Sequence, residues 1–402
     1  MRLLVLFFAL ACPVVAGTLE LPALDGVVRL AGTGDVMVHQ CVKAAARAHA
    51  KDDTEAPASG WNALFEDVAD VLNVADVAFA NLETPLVPAP TADPWFLQSG
   101  AFPLYKAPCE LAAALRWASF HVVSVANNHA MDQGVAGVAS TVDAVRAAGL
   151  VPLGGGKTRE EAEQPEVRVV HGVRVGFLGA TAFLNQPVEF KRDEPQVALL
   201  NEGALPAFCR RVRELKSRVD LVVVSVHWGE EEMDEPRERE RSWAHALCEA
   251  GADVIFGHHP HVLQPIELYA AKDGHRAVIA YSLGNFMTGN PDAAWRTGAI
   301  VIVEAARDAA GAVRVSGYGH VATWCTTERV TNTERMIRNA RLVAEDPTAS
   351  PARREAARAD QASYERRLED VRKALGPGWV SVDASGHDKK ERVVETPAPP
   401  RP

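Results

Sequence analysis

The sequence predicts a mixed α/β domain built on a large central sheet, and three observations carry that prediction. Short apolar runs of strand composition alternate along the chain with segments whose apolar residues recur at helical spacing. One pair of runs, residues 167–170 and 173–177, is joined by His171-Gly172 in the manner of a hairpin, which sets two neighbouring strands antiparallel within an otherwise alternating pattern. Five runs end in residues able to hold a metal: Asp35 with His39, Glu83, Asn128 with His129, His227, and His259 with His261. Side chains delivered by separate connections to the carboxyl edge of a sheet are how open α/β folds assemble a site.

The 402 residues can bury a large core, as one big domain or two ordinary ones. A hydrophobic share of 48% with 23% charged residues is globular, and beyond the first residues no stretch is long and apolar enough to cross a bilayer. A formal charge of −10 without a basic run excludes a general nucleic-acid binder. An anionic substrate then has to be met locally, with metal charge as the natural means.

Taken in order, residues 1–16 read as Arg2, an apolar segment over 3–11, and the small-residue exit Pro13-Val14-Val15-Ala16. This is the pattern of a cleaved secretory signal, which places the mature chain outside the cytoplasm, in the periplasm or cell envelope. An uncleaved anchor or a buried strand is the other reading; lipid attachment at Cys12 is disfavoured by the approach Ala9-Leu10-Ala11. Cys41, Cys109, Cys209, Cys248 and Cys325 remain, widely spaced and without the paired spacing of a thiolate zinc site. Most read as small buried hydrophobes, with one or two disulfides open to them in an oxidising compartment.

Residues 27–35 form a strand that ends in glycines and delivers Asp35, with His39 four residues on. A helix over 61–72 precedes a strand over 77–80 and Glu83. Residues 85–108 hold six prolines with Trp95, Phe96, Phe102 and Tyr105, the composition of a long ordered loop. A helix over 109–117 leads to a strand over 121–126 and Asn127-Asn128-His129. The helix over 134–148 stops at Gly149, and the triplet Gly154-Gly155-Gly156 lacks the spacing of a phosphate loop. After the hairpin come a helix over 205–215, a strand over 221–226 into His227-Trp228-Gly229, an acidic run and a helix over 237–250. The strand over 252–256 delivers Gly257-His258-His259-Pro260-His261, and β segments follow over 262–267, 277–282, 299–304 and 313–323. From residue 326 a charge-rich helical pattern over 335–375 reads as an appended extension reaching 383, and the proline-rich tail 384–402 is expected to be disordered.

Hard oxygen donors mixed with imidazoles suit two adjacent divalent ions such as manganese, iron or zinc, one carboxylate bridging them. Each residue taken singly has a plainer role: Asp35 and Asn128 as helix caps, Glu83 as a surface carboxylate, Asn285 as a turn former. The ordered set of five is what those roles leave unexplained.

Gly34-Asp35-Val36-Met37-Val38-His39, Asn81-Leu82-Glu83, Asn127-Asn128-His129 with Asp132 and Gly134, His227-Trp228-Gly229, Gly257-His258-His259-Pro260-His261 and Tyr281-Ser282-Leu283-Gly284-Asn285-Phe286 together resemble the CapA family of capsule synthesis. That family includes the PgsA-like proteins of poly-γ-glutamate synthesis, and the resemblance runs over residues 29–323. Its relation to calcineurin-like metallophosphoesterases implies a central β-sandwich flanked by helices, αββα, here over residues 27–325. It implies two divalent ions, with Asp35, His39 and His261 on one, Asn128, His227 and His259 on the other, and Glu83 bridging. His129 would protonate the leaving group, with an activated water as nucleophile. Two features depart from the phosphoesterase pattern and are shared with CapA: three residues separate Asp35 from His39 rather than one, and Glu83 stands where aspartate is usual. His258 is not needed by the pattern. Glu231 matches a family position, although its acidic neighbours suit a solvated run.

Lys106 in the proline-rich loop and Asn285 in the Ser282–Phe286 turn are the candidate substrate contacts. The resemblance implies a secreted protein of anionic envelope polymer synthesis that acts as a dinuclear hydrolase on phosphoester or amide bonds. It equally allows a non-catalytic polymer-binding or synthase-assembly protein on the same fold. The implied partners are an anionic polymer or its precursor and polymer synthase subunits.

Overall fold

The computed structural model describes residues 26–50, 59–88, 104–186, 188–326, 328–376, 378–382 and 388–389. The expected signal at 1–16, the centre of the proline-rich loop and nearly all of the tail from 384 lie outside the described residues.

Alternation along single strands decides the architecture. On Leu221–His227, Leu221 and Val223 face one way while Val222, Val224 and Val226 face the other, and all are buried, so the sheet is covered on both sides. Leu221 and Val223 meet Val28, Leu30, Phe79 and Val122 of a second sheet, and Phe79 stacks on Phe256 with centroids 5.8 Å apart. The opposite face packs on helices Leu205–Lys216 and Glu238–Glu249 through Phe208, Val212, Ala244 and Leu247. The outer face of the other sheet is covered by Gln40–His49, Glu66–Leu72, Glu110–Trp117 and Gly134–Ala147, using Val42, Val68, Leu111 and Val145. Helix, sheet, sheet, helix is the expected αββα order.

The first sheet runs Asp388–Lys389, Trp379–Val382, Val313–Cys325, Thr297–Arg307, Val27–Val36, Val77–Asn81, Phe120–Ser124, Val151–Leu153 in space, with Asn285–Met287 beside Val27–Val36 and Val330–Asn332 beside Val313–Cys325. The second runs Leu263–Ala270, Arg276–Leu283, Val254–His258, Leu221–His227, Val173–Thr181, Glu166–Val170. Val27–Val36, Val77–Asn81, Phe120–Ser124 and Val151–Leu153 are mutually parallel, as are the four inner strands of the second sheet. The expected hairpin is present: His171 and Gly172 both have positive φ, 47° and 75°, as a two-residue primed turn requires. Val173–Thr181 then runs on, parallel to Leu221–His227, so the hairpin forms one antiparallel edge of the sheet, and Leu263–Ala270 against Arg276–Leu283 forms the other.

The polar C-terminal pattern is two helices, Thr333–Glu345 and Pro351–Leu375, each started by a side chain accepting a backbone N–H: Asn332 from Arg335 and Ser350 from Arg353. They are docked on the sandwich. Val371 and Leu375 enter the core between the sheets, Arg367 lies over the Trp324 ring, and Val330–Asn332 and Trp379–Val382 lengthen the first sheet. The glycine triplet also differs from a simple loop, since Gly155–Gly156 pairs with Gln196–Val197. Among the described residues the five cysteines are unpaired, with Cys209, Cys248 and Cys325 buried. Among the described residues no helix is long and apolar enough to cross a membrane.

Candidate metal centre

Parallel strands put their carboxyl ends on one edge, and here the two sheets bring those edges together. Asp35 leaves Val27–Val36; Asn81 and Glu83 follow from its neighbour Val77–Asn81; Asn127, Asn128 and His129 follow Phe120–Ser124. From the second sheet, His227 ends Leu221–His227, and His258 ends Val254–His258 ahead of His259 and His261. Asn285 is delivered beside Asp35 by a close crossing, in which a Cβ on Gly34 would lie 1.9 Å from the Gly284 carbonyl oxygen.

Asp35 ties the sheets together. Its Oδ2 lies 3.1 Å from His261 Nδ1 and accepts the His259 amide at 3.3 Å, while Oδ1 accepts from Asn81 Nδ2 at 2.8 Å. His261 Nδ1 is also 3.1 Å from Asn285 Oδ1. With two acceptors on Nδ1 the ring proton belongs there, which leaves Nε2 as a lone-pair donor, 3.7 Å from Glu83 Oε1. His227 Nδ1 lies 3.2 Å from Asn81 Nδ2, and its Nε2 lies 2.9 Å from Asn128 Oδ1 and 3.6 Å from Glu83 Oε1. His129 Nδ1 is held 2.7 Å from Asp132 Oδ2, and its Nε2 meets Asn185 Nδ2 at 3.4 Å.

Two groups have donor atoms all within 4.8 Å of one another: Glu83, His259 and His261, and Asp35, Glu83 and His227. Glu83 belongs to both. His259 stands beside His261, where the resemblance assigns them to different ions. His39 joins neither group: its Nδ1 accepts the Gly289 amide at 3.0 Å and its Nε2 lies 3.2 Å from the Tyr105 hydroxyl. Most donors pair with each other, but buried Glu83 Oε1 and His259 Nδ1 have no hydrogen-bond partner among the described residues. A buried carboxylate oxygen and a buried imidazole nitrogen left unpartnered are costly without a ligand, and both are donors that a divalent cation takes. The donor set therefore fits the implied ions.

The turn carrying the histidines is unusual. His259 and His261 have φ of 99° and 61°, left-handed conformations that cost a non-glycine residue roughly 1–3 kcal/mol each. Pro260 lies between them.

Burial alone would raise the Asp35 carboxyl, but its close contacts with the His258 and His261 rings and their charge outweigh it and hold Asp35 well below the usual carboxylate range. Burial, then the charges of Asp35, Glu231 and Asp132, pushes Glu83 well up. Burial, with neighbouring imidazoles, pulls His227 well down and His259 to about 3; burial pulls His39 to about 4. These three imidazoles are neutral when folded and titrate near 6.5 when unfolded, so below pH 6.5 the unfolded chain binds the extra protons. The stability they contribute is present above pH 6.5 and is lost progressively as pH falls toward their folded values. Glu83 acts oppositely, one carboxyl against three imidazoles. The urea midpoint of the metal-free chain is expected to fall between pH 7 and pH 5; a constant or rising midpoint would contradict neutral burial of these rings.

Asn285 is fully buried, with its Oδ1 toward His261 and its Nδ2 donating to the Trp295 carbonyl at 2.9 Å, so its amide contacts are made within the protein. Lys106 is half-buried beside Tyr105, whose amide donates to Asp132 Oδ2 at 2.6 Å. Four neighbours of the site carried no role in the sequence: His258, Asn185, Phe183 and Trp295. His258 Nδ1 lies 3.2 Å from Asp35 Oδ1, out of hydrogen-bonding alignment, so that contact is electrostatic. The period of two from Val254 and Phe256 points His258 into the space between the sheets. The other three sit in loops and have no such signal.

Residues 29–290 match the family described as bacterial capsule synthesis protein PGA_cap. The chain is 33% identical over 281 residues to the PGA biosynthesis protein CapA of Bacillus subtilis (strain 168), covering 68% of this chain and 67% of that one. It is 34% identical over 230 residues to the capsule biosynthesis protein CapA of Bacillus anthracis, covering 57% and 54%. The chain thus spans about half the length of the second relative and two thirds of the first. Among solved structures, one described as a novel phosphatase from Mycoplasma pneumoniae covers 74% of this chain and 94% of its own at a TM-score of 0.44 and 12% identity.

Proposed function

The chain belongs to the bacterial capsule synthesis protein family PGA_cap, and from that premise we propose that it is an extracytoplasmic, dinuclear metal-dependent hydrolase of an anionic envelope polymer, of the poly-γ-glutamate kind, or of its precursor. The observation that carries this reading is Glu83 Oε1, buried, without a hydrogen-bond partner among the described residues, and 3.6 and 3.7 Å from the Nε2 atoms of His227 and His261. Asp35, Glu83, Asn128, His227, His259 and His261 would hold two divalent ions, manganese, iron or zinc, with Glu83 shared. Bound there, the ions would supply Lewis-acid charge that activates water and stabilises a developing oxyanion.

The chain's own groups do the rest. Asn81 spans Asp35 and His227 and fixes both, and Asn285 and Asp35 hold the His261 proton on Nδ1 so that Nε2 faces inward. Asp132 orients His129, whose Nε2 is the atom that would hand a proton to the leaving group. The naming of the Bacillus relatives for PGA and capsule biosynthesis supports a polymer or polymer synthase as partner. Residues 27–325 would form the hydrolase domain and 326–383 its extension, behind a signal at 1–16.

The test is metal content together with turnover. Two ions per chain, and hydrolysis of a phosphodiester or γ-glutamyl model substrate with manganese or zinc that is lost in His227→Ala, are expected. At most one ion per chain, with no difference between wild type and variant, would instead favour a polymer-binding or assembly role.

A further inference from the structure

Three aromatic rings from three separate loops stand against the site histidines, and the proposed chemistry uses none of them. Phe183, just beyond Val173–Thr181, meets His259 edge-on with centroids 4.8 Å apart. Trp295, in the connection before Thr297–Arg307, lies 4.5 Å from His261. Tyr105 is 4.6 Å from His129 and 5.2 Å from His39. Tyr105 is buried and its hydroxyl is engaged by His39, so it serves as wall. Phe183 and Trp295 are only half-buried, and so leave part of their surface open to solvent beside the candidate ligands.

A site that recognised charge alone would gain nothing from that surface. Small-molecule sites combine a few placed polar groups with apolar and aromatic walls, the polar groups fixing one end of the ligand and the walls covering the remainder. Here the polar groups are the buried carboxylates and imidazoles, and the half-open rings adjoin them directly.

We propose that Phe183 and Trp295 are specificity-determining residues that cover an uncharged stem adjoining the anionic group of the substrate. The proposal rests on the hydrolase reading above and names its substrate class: an anion carried on a carbon face, not a bare anion. The two methylenes of a γ-linked glutamate residue are one such stem.

The experiment uses the full chain loaded with manganese and two non-hydrolysable anions, phenylphosphonate and methylphosphonate, with affinities read by calorimetry. Wild type should prefer phenylphosphonate by about tenfold, the scale of one good aromatic contact. In Trp295→Ala and in Phe183→Ala the preference should fall below about threefold, the remainder that general burial of the phenyl group leaves. Trp295→Leu and Phe183→Leu, which keep more of the volume, show the same narrowing if the alanine variants do not fold. Equal affinity for the two anions in wild type, or an undiminished preference in the variants, overturns the proposal. So does a loss of manganese affinity in the variants with the preference intact, because the rings would then only hold the histidines. Failure of both anions to bind a chain that holds manganese overturns the hydrolase reading itself, and the proposal with it.

Discussion

Exchanging Glu83 for glutamine is expected to weaken manganese binding by at least about 100-fold, while the metal-free chain becomes no less stable than wild type. The two effects have one cause. Glu83 is wholly buried, its Oε1 has no hydrogen-bond partner among the described residues, and its carboxyl is pushed up by burial and then by Asp35, Glu231 and Asp132. Without a cation the charge at this position opposes folding, and in the proposed centre it would be the shared ligand. Glutamine keeps the shape, removes the charge and weakens the donor. Calorimetric titration with manganese and urea denaturation in a chelator measure the two sides separately. Unaltered manganese affinity would remove Glu83 from the centre, and a clear loss of metal-free stability would make it a structural residue.

Replacing His129 with alanine should lower turnover by about 10²- to 10⁴-fold, the usual worth of a placed general acid, with ion content unchanged. Its Nδ1 is fixed by Asp132 at 2.7 Å, and no carboxylate of either donor group bonds to the ring, so removing it should spare the ions. The loss should be smaller with a nitrophenolate leaving group than with an alkoxide, because a good leaving group needs less protonation. Asp132→Asn should act through the same ring, costing about 10- to 100-fold, and should also raise KM. Asp132 accepts the Tyr105 amide and Gln186 Nε2 and so pins the segment that carries Lys106. Equal kcat for wild type and His129→Ala on the alkoxide substrate would refute the proton-donor role.

The strands and helices were legible in the residues: Leu221 to Val226 is a short apolar run of the kind a strand buried on both faces makes. The stacking of two sheets in αββα order was legible through the resemblance to the CapA family. The strand-end donors were legible in the residues too, since a strand's last residue can be read from where its apolar run stops. His39 shows the limit. Spacing placed it four residues after Asp35, but the Gly289 amide, 250 residues away in sequence, decides which ring nitrogen is engaged and turns the ring toward Tyr105. Phe183, Asn185 and Trp295 lie in irregular connections whose positions are set by tertiary packing. The C-terminal helices looked separate because few of their residues are apolar, yet Val371 and Leu375 suffice to anchor the longer one between the sheets.

The left-handed histidines place function and thermal hardiness in opposition. At 99° and 61°, positions 259 and 261 have backbones that glycine or asparagine would adopt more cheaply. A library screened for heat resistance alone would drift toward those residues, gaining a few degrees at each step and discarding a donor each time. Any campaign to harden this protein for use should therefore hold these two codons fixed, since in the proposed centre a gain in stability at either would cost a metal donor.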